Sequence, residues 1–293
     1  MRLKHLAALA PASALPAWAA PVGGCILALV SLFAFAADDP FKRCEEHLRF
    51  GVPHYKKADH DTTPLCRLGY VLSHNNERKV PDWVSWRLKK ERAAACATRT
   101  NPYGADPDLP GRKRAELTDY GKQGYDLGQL APGADFNWSD EAHRQSFYLS
   151  NMAPQIPPFT AGIWKTLEEL ARYWATVRGE IYIMAGPIFD DKPKRTVGDS
   201  QVGVPSHFYK ILYDPKAGEA LAFIFPHGQI RNSQNVPFFQ VTVRDVERQT
   251  GLDFLVALRN RTEDTVETTT PAMWERDGMS AWRKAQRAKC GKE

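Results

Sequence analysis

Five polar side chains in the middle of the chain are of types that could act on a substrate: Asp126, Gln129, Asn151, Gln155 and Glu168. Carboxylates bind hard cations directly or through water, and amides hydrogen-bond water or phosphate without titrating. The group contains no imidazole, the side chain that accepts protons near neutral pH. These residues are therefore better suited to orienting water or a metal ion than to removing a proton.

Two segments that contain the first four of these residues carry a resemblance to a known family. They read GYDLGQLAPGADF (124–136) and LSNMAPQ (149–155), and three shorter segments follow in order, GIW (162–164), VPSHFYK (204–210) and TGLDF (250–254). Over about residues 44–258 the chain resembles the DNA/RNA non-specific endonucleases, which are ββα-metal nucleases. The resemblance implies an α+β, ββα-metal nuclease fold in which helices flank a largely antiparallel central sheet.

The resemblance also implies roles for individual positions. In the family the first segment normally reads Asp-Arg-Gly-His, and its histidine accepts the proton of the attacking water. An asparagine at the start of the long helix binds one Mg²⁺, and a glutamate further along contacts the ion through water. The matching positions here are Asp126, Leu127, Gln129, Thr160 and Glu168. Leu127, Gln129 and Thr160 depart from the family pattern at the arginine, histidine and asparagine positions.

These three replacements predict a large loss of hydrolysis. Gln129 can hydrogen-bond water but cannot deprotonate it, and Leu127 brings no positive charge to a phosphate. Thr160 offers a neutral hydroxyl of short reach, which leaves Glu168 to hold Mg²⁺ weakly through water. A general base alone is worth about 10²- to 10⁴-fold in rate. We therefore expect a pseudonuclease with impaired phosphodiester hydrolysis, a weakly bound Mg²⁺ and no small-molecule cofactor.

Two other functions stay open. An active Mg²⁺-dependent, sugar-non-specific endonuclease would need a non-standard base, and His143 is the nearest candidate in sequence. An envelope interaction protein that merely inherited the scaffold would bind neither DNA nor RNA.

A pseudonuclease that still binds DNA or RNA without sequence preference would use cationic side chains near the motif. The candidates are Arg99, Lys122, Arg144 and Lys165. The formal net charge of +5 permits contact with a polyanion but does not require it.

The elements that must position these residues follow from local patterns. β-Branched and aromatic runs predict strands at 66–73, 80–88, 181–184, 208–212 and 220–225, of which the first two form a hairpin. Helical spacing of apolar residues and capping signals predict helices at 140–145, 160–177 and 242–247. Ser139 and Thr242 are placed to cap the first and last of these helices, and Gly251 to stop the last.

The first 36 residues are typical of an export signal. Arg2 and Lys4 precede an apolar stretch that ends in Ala34-Phe35-Ala36. We expect a cleaved signal peptide over 1–36 and a periplasmic or secreted protein. The alternative is an uncleaved membrane anchor formed by residues 6–36.

The rest of the chain divides into two predicted parts. Residues 37–258 are expected to form the DNA/RNA non-specific endonuclease-like domain, and residues 259–293 a polar, basic C-terminal tail. The basic end of that tail is interpreted first as a solvated face or frayed terminus, with a nucleic-acid patch as the alternative.

Four cysteines follow residue 36: Cys44, Cys66, Cys96 and Cys290. An even number in an exported chain favours two disulfides. Three connectivities are possible, of which we favour Cys44 with Cys66 and Cys96 with Cys290. Zinc is the rival interpretation, but no paired Cys-x-x-Cys or Cys/His spacing supports a tetrahedral site.

Overall fold

A seven-stranded antiparallel sheet organises the protein. The structure, a computed structural model, describes residues 39–57, 60–96, 102–121, 123–190, 195–231 and 234–291. The strands within these ranges are β1 (His54–Tyr55), β2 (Thr62–Cys66), β3 (Val71–Asn75), β4 (Val80–Lys89), β5 (Asp126–Gln129), β6 (Met152–Gln155), β7 (Glu180–Ile188), β8 (Thr196–Val197), β9 (Val202–Gly203), β10 (His207–Asp214), β11 (Glu219–Pro226), β12 (Gln240–Val241) and β13 (Leu252–Asp253).

The helices of the described ranges vary from single turns to fourteen residues. The α-helices are α1 (Lys90–Ala93), α2 (Asp140–Ser146), α3 (Pro157–Phe159), α4 (Lys165–Arg178), α5 (Val243–Thr250), α6 (Asn260–Thr268) and α7 (Met279–Cys290). A π-helical turn, Thr160–Trp164, joins α3 to α4, and short 3-10 helices lie at Lys42–His47, Gly111–Lys113, Leu117–Asp119, Gly133–Phe136, Leu149–Asn151 and Val236–Phe239.

The large sheet has the strand order β12-β11-β10-β7-β4-β3-β2, and every neighbouring pair is antiparallel. Side chains of β7 alternate between two buried clusters, as the two-residue period of a strand requires. Ile183 and Ala185 pack in the cluster that contains α4, whereas Tyr182 and Met184 pack in the cluster that contains α5 and α6. Helices therefore cover both faces, and the predicted α+β fold with a largely antiparallel sheet is confirmed.

The predicted strand 66–73 is wrong in detail, because a turn divides it. β2 ends at Cys66, the backbone N–H of Arg67 donates to the carbonyl oxygen of Tyr70 across 2.9 Å, and β3 begins at Val71. The Arg67 guanidinium pairs with the buried Asp106 carboxylate, a contact between residues far apart in the chain that local propensity cannot reveal. β3 and β4 do form the predicted hairpin.

The helix predicted over 160–177 starts as a π-helical turn. Gly162 departs from helical backbone angles within that turn, and regular α-helix resumes at Lys165. α4 ends at Gly179, whose φ of 95° suits a residue without a Cβ. The predicted caps of the other two helices, Ser139 and Thr242, each accept a backbone N–H through their side chains.

Residues 259–293 contain α6 and α7 although their composition is polar. Val266, Trp274 and Met279 are buried, and the indole N–H of Trp174 donates to the carbonyl oxygen of Glu275 across 2.9 Å. Most side chains of α7 are exposed. A few widely spaced apolar residues are thus enough to pack this segment onto the sheet domain.

Both predicted disulfides are present. Cys44 is bonded to Cys66 with a Cα–Cα distance of 5.9 Å, and Cys96 to Cys290 with a Cα–Cα distance of 5.3 Å. The predicted signal peptide lies outside the described residues. In the part of the chain that is described, no helix is both long enough and apolar enough to cross a bilayer.

Candidate active site

The residues of the two motif segments meet on one hairpin that leads into a helix. β5 and β6 pair antiparallel, with Asp126 opposite Gln155 and Gln129 opposite Met152. β6 then runs through α3 and the π-helical turn into α4, which completes a β-β-α unit. Glycine is required at position 128 on β5, because a Cβ there would overlap the side chain of Gln155 at the end of β6.

Gln129, at the family's histidine position, is bonded at both ends of its amide. Its Nε2 donates to the carbonyl oxygen of Ser146 across 3.0 Å, and its Oε1 accepts the backbone N–H of Gly133 across 3.1 Å. Its own carbonyl oxygen accepts the indole N–H of Trp164. These bonds fix the loop between β5 and β6, so Gln129 acts as a brace and its amide is not directed at a substrate.

Asn151 braces the same loop. Its Nδ2 donates to the carbonyl oxygens of Ala131 and Ser146, both at 2.8 Å, and its Oδ1 accepts the backbone N–H of Ala131. Asp126 is exposed at the start of β5, and within the described ranges its carboxylate accepts no hydrogen bond. Leu127 is half-buried and packs against the core.

Thr160, at the family's asparagine position, contacts Gln155. The Thr160 hydroxyl lies 3.1 Å from Gln155 Oε1 and 3.3 Å from the carbonyl oxygen of Ile156, to which it can donate. Gln155 is fully buried, and its Nε2 has no hydrogen-bond partner among the described residues. The hydroxyl proton therefore faces protein oxygens, and both N–H donors of the buried Gln155 amide are unpaired among the described residues.

Glu168, one turn into α4, pairs with a lysine that the sequence analysis did not select. Glu168 Oε1 lies 3.9 Å from Lys210 Nζ, and the side chains are 13% and 1% exposed. The ammonium also lies 4.0 Å from the ring centroid of Trp164 and 5.7 Å from that of Trp86. The signal for Lys210 was present in the sequence as one cation inside the apolar strand β10.

Burial dominates the electrostatics of this pair. It raises the pKa of Glu168 to about 7, partly offset by Lys210 and Arg172, and it lowers the pKa of Lys210 to about 8, partly offset by Glu168. Asp135 extends the network, because it accepts the Trp86 indole N–H and an Arg172 N–H, each at 3.0 Å. A compact set of buried charges therefore lies beneath the β-β-α unit.

This donor set is a poor match for a directly bound Mg²⁺ ion, which prefers an octahedron of oxygens that includes one or two carboxylates. The one nearby carboxylate at a family metal position, Glu168, already faces the Lys210 ammonium. The Thr160 hydroxyl is neutral and hydrogen-bonded to protein. No catalytic step can be assigned to a metal at these residues.

A cleft of about 290 Å³ opens beside Gln129. Its lining includes His143 as well as Arg283 and Arg287 of α7. Neither Thr160 nor Glu168 is among the described residues that line it. Gln129 therefore lines this cleft without the other two positions that the family resemblance associates with catalysis.

His143, the alternative base, is buried and close to Gln129 in this cleft. Its Nδ1 lies 3.2 Å from the carbonyl oxygen of Gly133, and its ring packs on Phe147. Another histidine, His227, was not selected from the sequence. It accepts the backbone N–H of Ile156 and donates to the carbonyl oxygen of Pro205. Burial lowers the pKa of His227, so this imidazole is a neutral structural link.

The predicted nucleic-acid contacts have different surroundings. Arg144 binds Glu141 and the Tyr148 hydroxyl, so its charge is partly neutralised. Lys165 is exposed at the start of α4. Arg99 and Lys122 lie outside the described residues.

Comparison with known proteins identifies the scaffold. The profile of the DNA/RNA non-specific endonuclease family matches residues 50–261. The mitochondrial nuclease EXOG of Danio rerio is 32% identical over 228 residues, which are 73% of this chain and 65% of that protein. The chain thus spans slightly less than two thirds of that relative. Nuclease C1 of Cunninghamella echinulata var. echinulata is 33% identical over 233 residues, 74% of this chain and 92% of that protein.

A solved structure shares the architecture. The crystal structure of the EndoG/EndoGI complex, described as showing the mechanism of EndoG inhibition, matches with a TM-score of 0.66 and 27% identity. The match covers 80% of this chain and 97% of the solved chain. On the family profile, the two relatives and this shared fold, the chain belongs to the DNA/RNA non-specific endonuclease family.

Proposed function

We propose that this chain is an exported pseudonuclease that binds DNA or RNA but hydrolyses phosphodiesters poorly or not at all. One observation carries the proposal: both ends of the Gln129 amide are bonded to the protein, at Ser146 and Gly133. An amide does not accept a proton from water near neutral pH, and these two bonds hold the Gln129 side chain against the loop. The position at which the family has its general base therefore has a structural role in this chain.

The other two replacements act in the same direction. Leu127 is half-buried against the core and offers no charge to a phosphate, and the Thr160 hydroxyl faces protein oxygens. Loss of a base costs about 10²- to 10⁴-fold, and residues that act as a unit do not add independently. We propose that Mg²⁺ binds weakly, through water on Glu168.

Nucleic-acid binding would be electrostatic and independent of sequence. Arg283 and Arg287, which are exposed and line the cleft, and the exposed Lys165 at the start of α4 support this part of the proposal. Counterion release makes such binding fall steeply as salt rises. Fluorescence anisotropy with single- and double-stranded DNA and RNA should show weaker binding at about 200 mM than at about 50 mM salt. Salt-independent affinity, or no binding, would contradict this part and favour the interaction-protein function.

A second candidate, an active endonuclease with a non-standard base, is favoured by the place of His143 in the cleft beside Gln129. Nicking of supercoiled plasmid by the parent chain with Mg²⁺ or Mn²⁺, abolished by His143→Gln, would support it. Nicking that His143→Gln leaves unchanged would argue against His143 as the base.

The decisive experiment restores the family residues together, as Leu127→Arg, Gln129→His and Thr160→Asn. We expect nuclease activity to rise by orders of magnitude over the parent chain, and Glu168→Ala in the restored background to remove it. Circular dichroism and thermal unfolding establish that each variant is folded. A folded, restored chain that stays inactive would mean that the scaffold no longer supports the chemistry.

Export is part of the proposal. The charged and then apolar pattern of residues 1–36 supports it, as do the two disulfides, which persist in oxidising compartments. N-terminal sequencing of the mature protein from cell fractions distinguishes a cleaved signal near Ala36 from an anchor over 6–36.

A further inference from the structure

A group of three carboxylates lies apart from the β-β-α unit. Glu247 is on α5, Asp253 on β13 and Glu267 on α6, and one carboxylate oxygen of each lies within 4.8 Å of the other two. Glu247 and Glu267 are buried. Three elements of the fold thus direct negative charge at a common point.

The separation of these oxygens fits one shared cation. Ca²⁺ binds oxygens at about 2.3–2.6 Å, so two ligands on opposite sides of the ion are roughly 5 Å apart. Mg²⁺ binds at about 2.0–2.1 Å, keeps most of its water and seldom occupies sites built from protein carboxylates. A spacing within 4.8 Å admits either ion, but a donor set made of protein carboxylates favours Ca²⁺ over Mg²⁺.

One oxygen of the group lacks a partner. Glu267 Oε2 accepts an N–H of Arg244 across 2.7 Å, but its Oε1 is buried and has no hydrogen-bond partner in the described part of the chain. The Glu267 side chain is only 2% exposed. A buried carboxylate oxygen without a donor is costly, and a bound cation would satisfy it.

Two cationic side chains border the three carboxyl groups. Lys56 Nζ lies 3.4 Å from both Glu247 Oε2 and Asp253 Oδ1, and Arg244 pairs with Glu267. Three carboxylates therefore face two cations, whose side chains are 49% and 37% exposed. On α6, Asp264 also pairs with Arg244, which adds a further negative charge beside the group.

We propose that Glu247, Asp253 and Glu267 form a Ca²⁺ site that joins α5, β13 and α6. Water completes the coordination, since three carboxylates supply fewer than the six to eight oxygens that Ca²⁺ takes. Lys56 and Arg244 lower the affinity, which places Kd on the order of 10⁻⁴–10⁻³ M, the range of extracellular Ca²⁺ modules. The site is structural and is independent of nuclease chemistry.

Calorimetric titration of the metal-stripped full chain with CaCl₂ and, separately, MgCl₂ tests the proposal. We expect one Ca²⁺ per chain and weaker binding of Mg²⁺. At Ca²⁺ a hundredfold above Kd, the thermal midpoint should rise by roughly 5–10 °C. No binding up to about 10 mM Ca²⁺, or equal affinity for both ions, would overturn the proposal.

Matched variants locate the ion. Glu267→Gln and Asp253→Asn should each weaken Ca²⁺ binding at least about tenfold, because each removes a charged ligand. Asp264→Asn, on the same helix but outside the three-oxygen group, should change Kd by less than about threefold. Lys56→Met removes a competing cation and should tighten binding, a result that loss of folding cannot imitate. Unchanged affinity in Glu267→Gln and Asp253→Asn would show that Ca²⁺ binds elsewhere.

Discussion

The side-chain amide of Gln129 donates to the carbonyl oxygen of Ser146 across 3.0 Å. This bond joins β5 to the end of α2, and the same side chain also holds the buried Gly133 N–H. A residue at the position of a general base thus contributes to the stability of the loop that surrounds it.

Gln129→Ala should lower the free energy of unfolding by about 1–3 kcal/mol, because it leaves a buried N–H without an acceptor. Urea unfolding followed by tryptophan fluorescence measures the change. Gln123→Ala, at an exposed position before β5, is the control and should stay within about 0.5 kcal/mol of the parent. Equal effects of the two substitutions would contradict the bracing role.

The Glu168–Lys210 pair should be energetically coupled. Lys210→Met leaves the Glu168 carboxylate buried without its ammonium and should cost about 3–5 kcal/mol at neutral pH. The double variant Lys210→Met, Glu168→Gln should recover part of that loss, giving a coupling energy of about 1–3 kcal/mol by denaturant unfolding. Lys165→Met, an exposed lysine on the same helix as Glu168, serves as the control. Additive losses would mean that the two side chains do not interact.

Glu267 should make stability depend on pH in the absence of Ca²⁺. Burial, followed by the nearby Glu247, raises the pKa of Glu267 from 4.5 to about 8. Between these values the folded chain keeps a proton that the unfolded chain releases, so the free energy of unfolding should fall as pH rises.

Urea midpoints measured in EDTA from about pH 4.5 to about pH 8 test this direction. Glu267→Gln should remove its falling contribution from the profile. The remaining slope combines a falling contribution of Glu168, whose pKa is also raised, with rising contributions of His47 and His74, whose pKa burial lowers to about 4. Glu91→Gln, an exposed glutamate outside the group, is the control. A profile that Glu267→Gln does not alter would argue against this titration.

The Cys96–Cys290 disulfide should hold α7 against the cleft. Arg283 also pairs with Glu169, and Lys289 Nζ donates to the carbonyl oxygen of Ala94. Cys290→Ser should speed tryptic cleavage in the C-terminal part of α7, because the exposed polar contacts that remain there are weak. Mass spectrometry of the fragments measures this, and the double variant Cys44→Ser, Cys66→Ser is the control for loss of a disulfide elsewhere. Cleavage of α7 at the parent rate in Cys290→Ser would contradict the role.

Much of the fold was predictable from local sequence. β7, β10 and β11 are long apolar runs. The side chains of Ser139 and Thr242 cap the N-termini of α2 and α5, and the backbone freedom of Gly251 favours the end of α5. The family motif also selected Asp126 and Gln129, which the structure places on β5. In each case the signal lies within a few consecutive residues.

The unpredicted features depend on contacts between distant residues. Lys210 looks like an ordinary polar interruption of β10 until β4, the π-helical turn and α4 place Trp86, Trp164 and Glu168 around it. Gln129 could be assigned as a poor base from its chemistry, but its bond to Ser146 becomes visible only when the loop is closed. The periodic spacing of hydrophobic residues predicts neither the surroundings of Lys210 nor the bond between Gln129 and Ser146.

The two disulfides differ greatly in span. Cys44 and Cys66 are 22 residues apart, whereas Cys96 and Cys290 are 194 apart. At a synthesis rate of about 5–20 residues per second, Cys96 waits roughly 10–40 s for its partner to be made. During that interval Cys44 and Cys66 can already pair, which removes them as competitors. The order of emergence from the ribosome therefore favours the native connectivity, and the closing of α7 over the cleft is among the last steps of maturation.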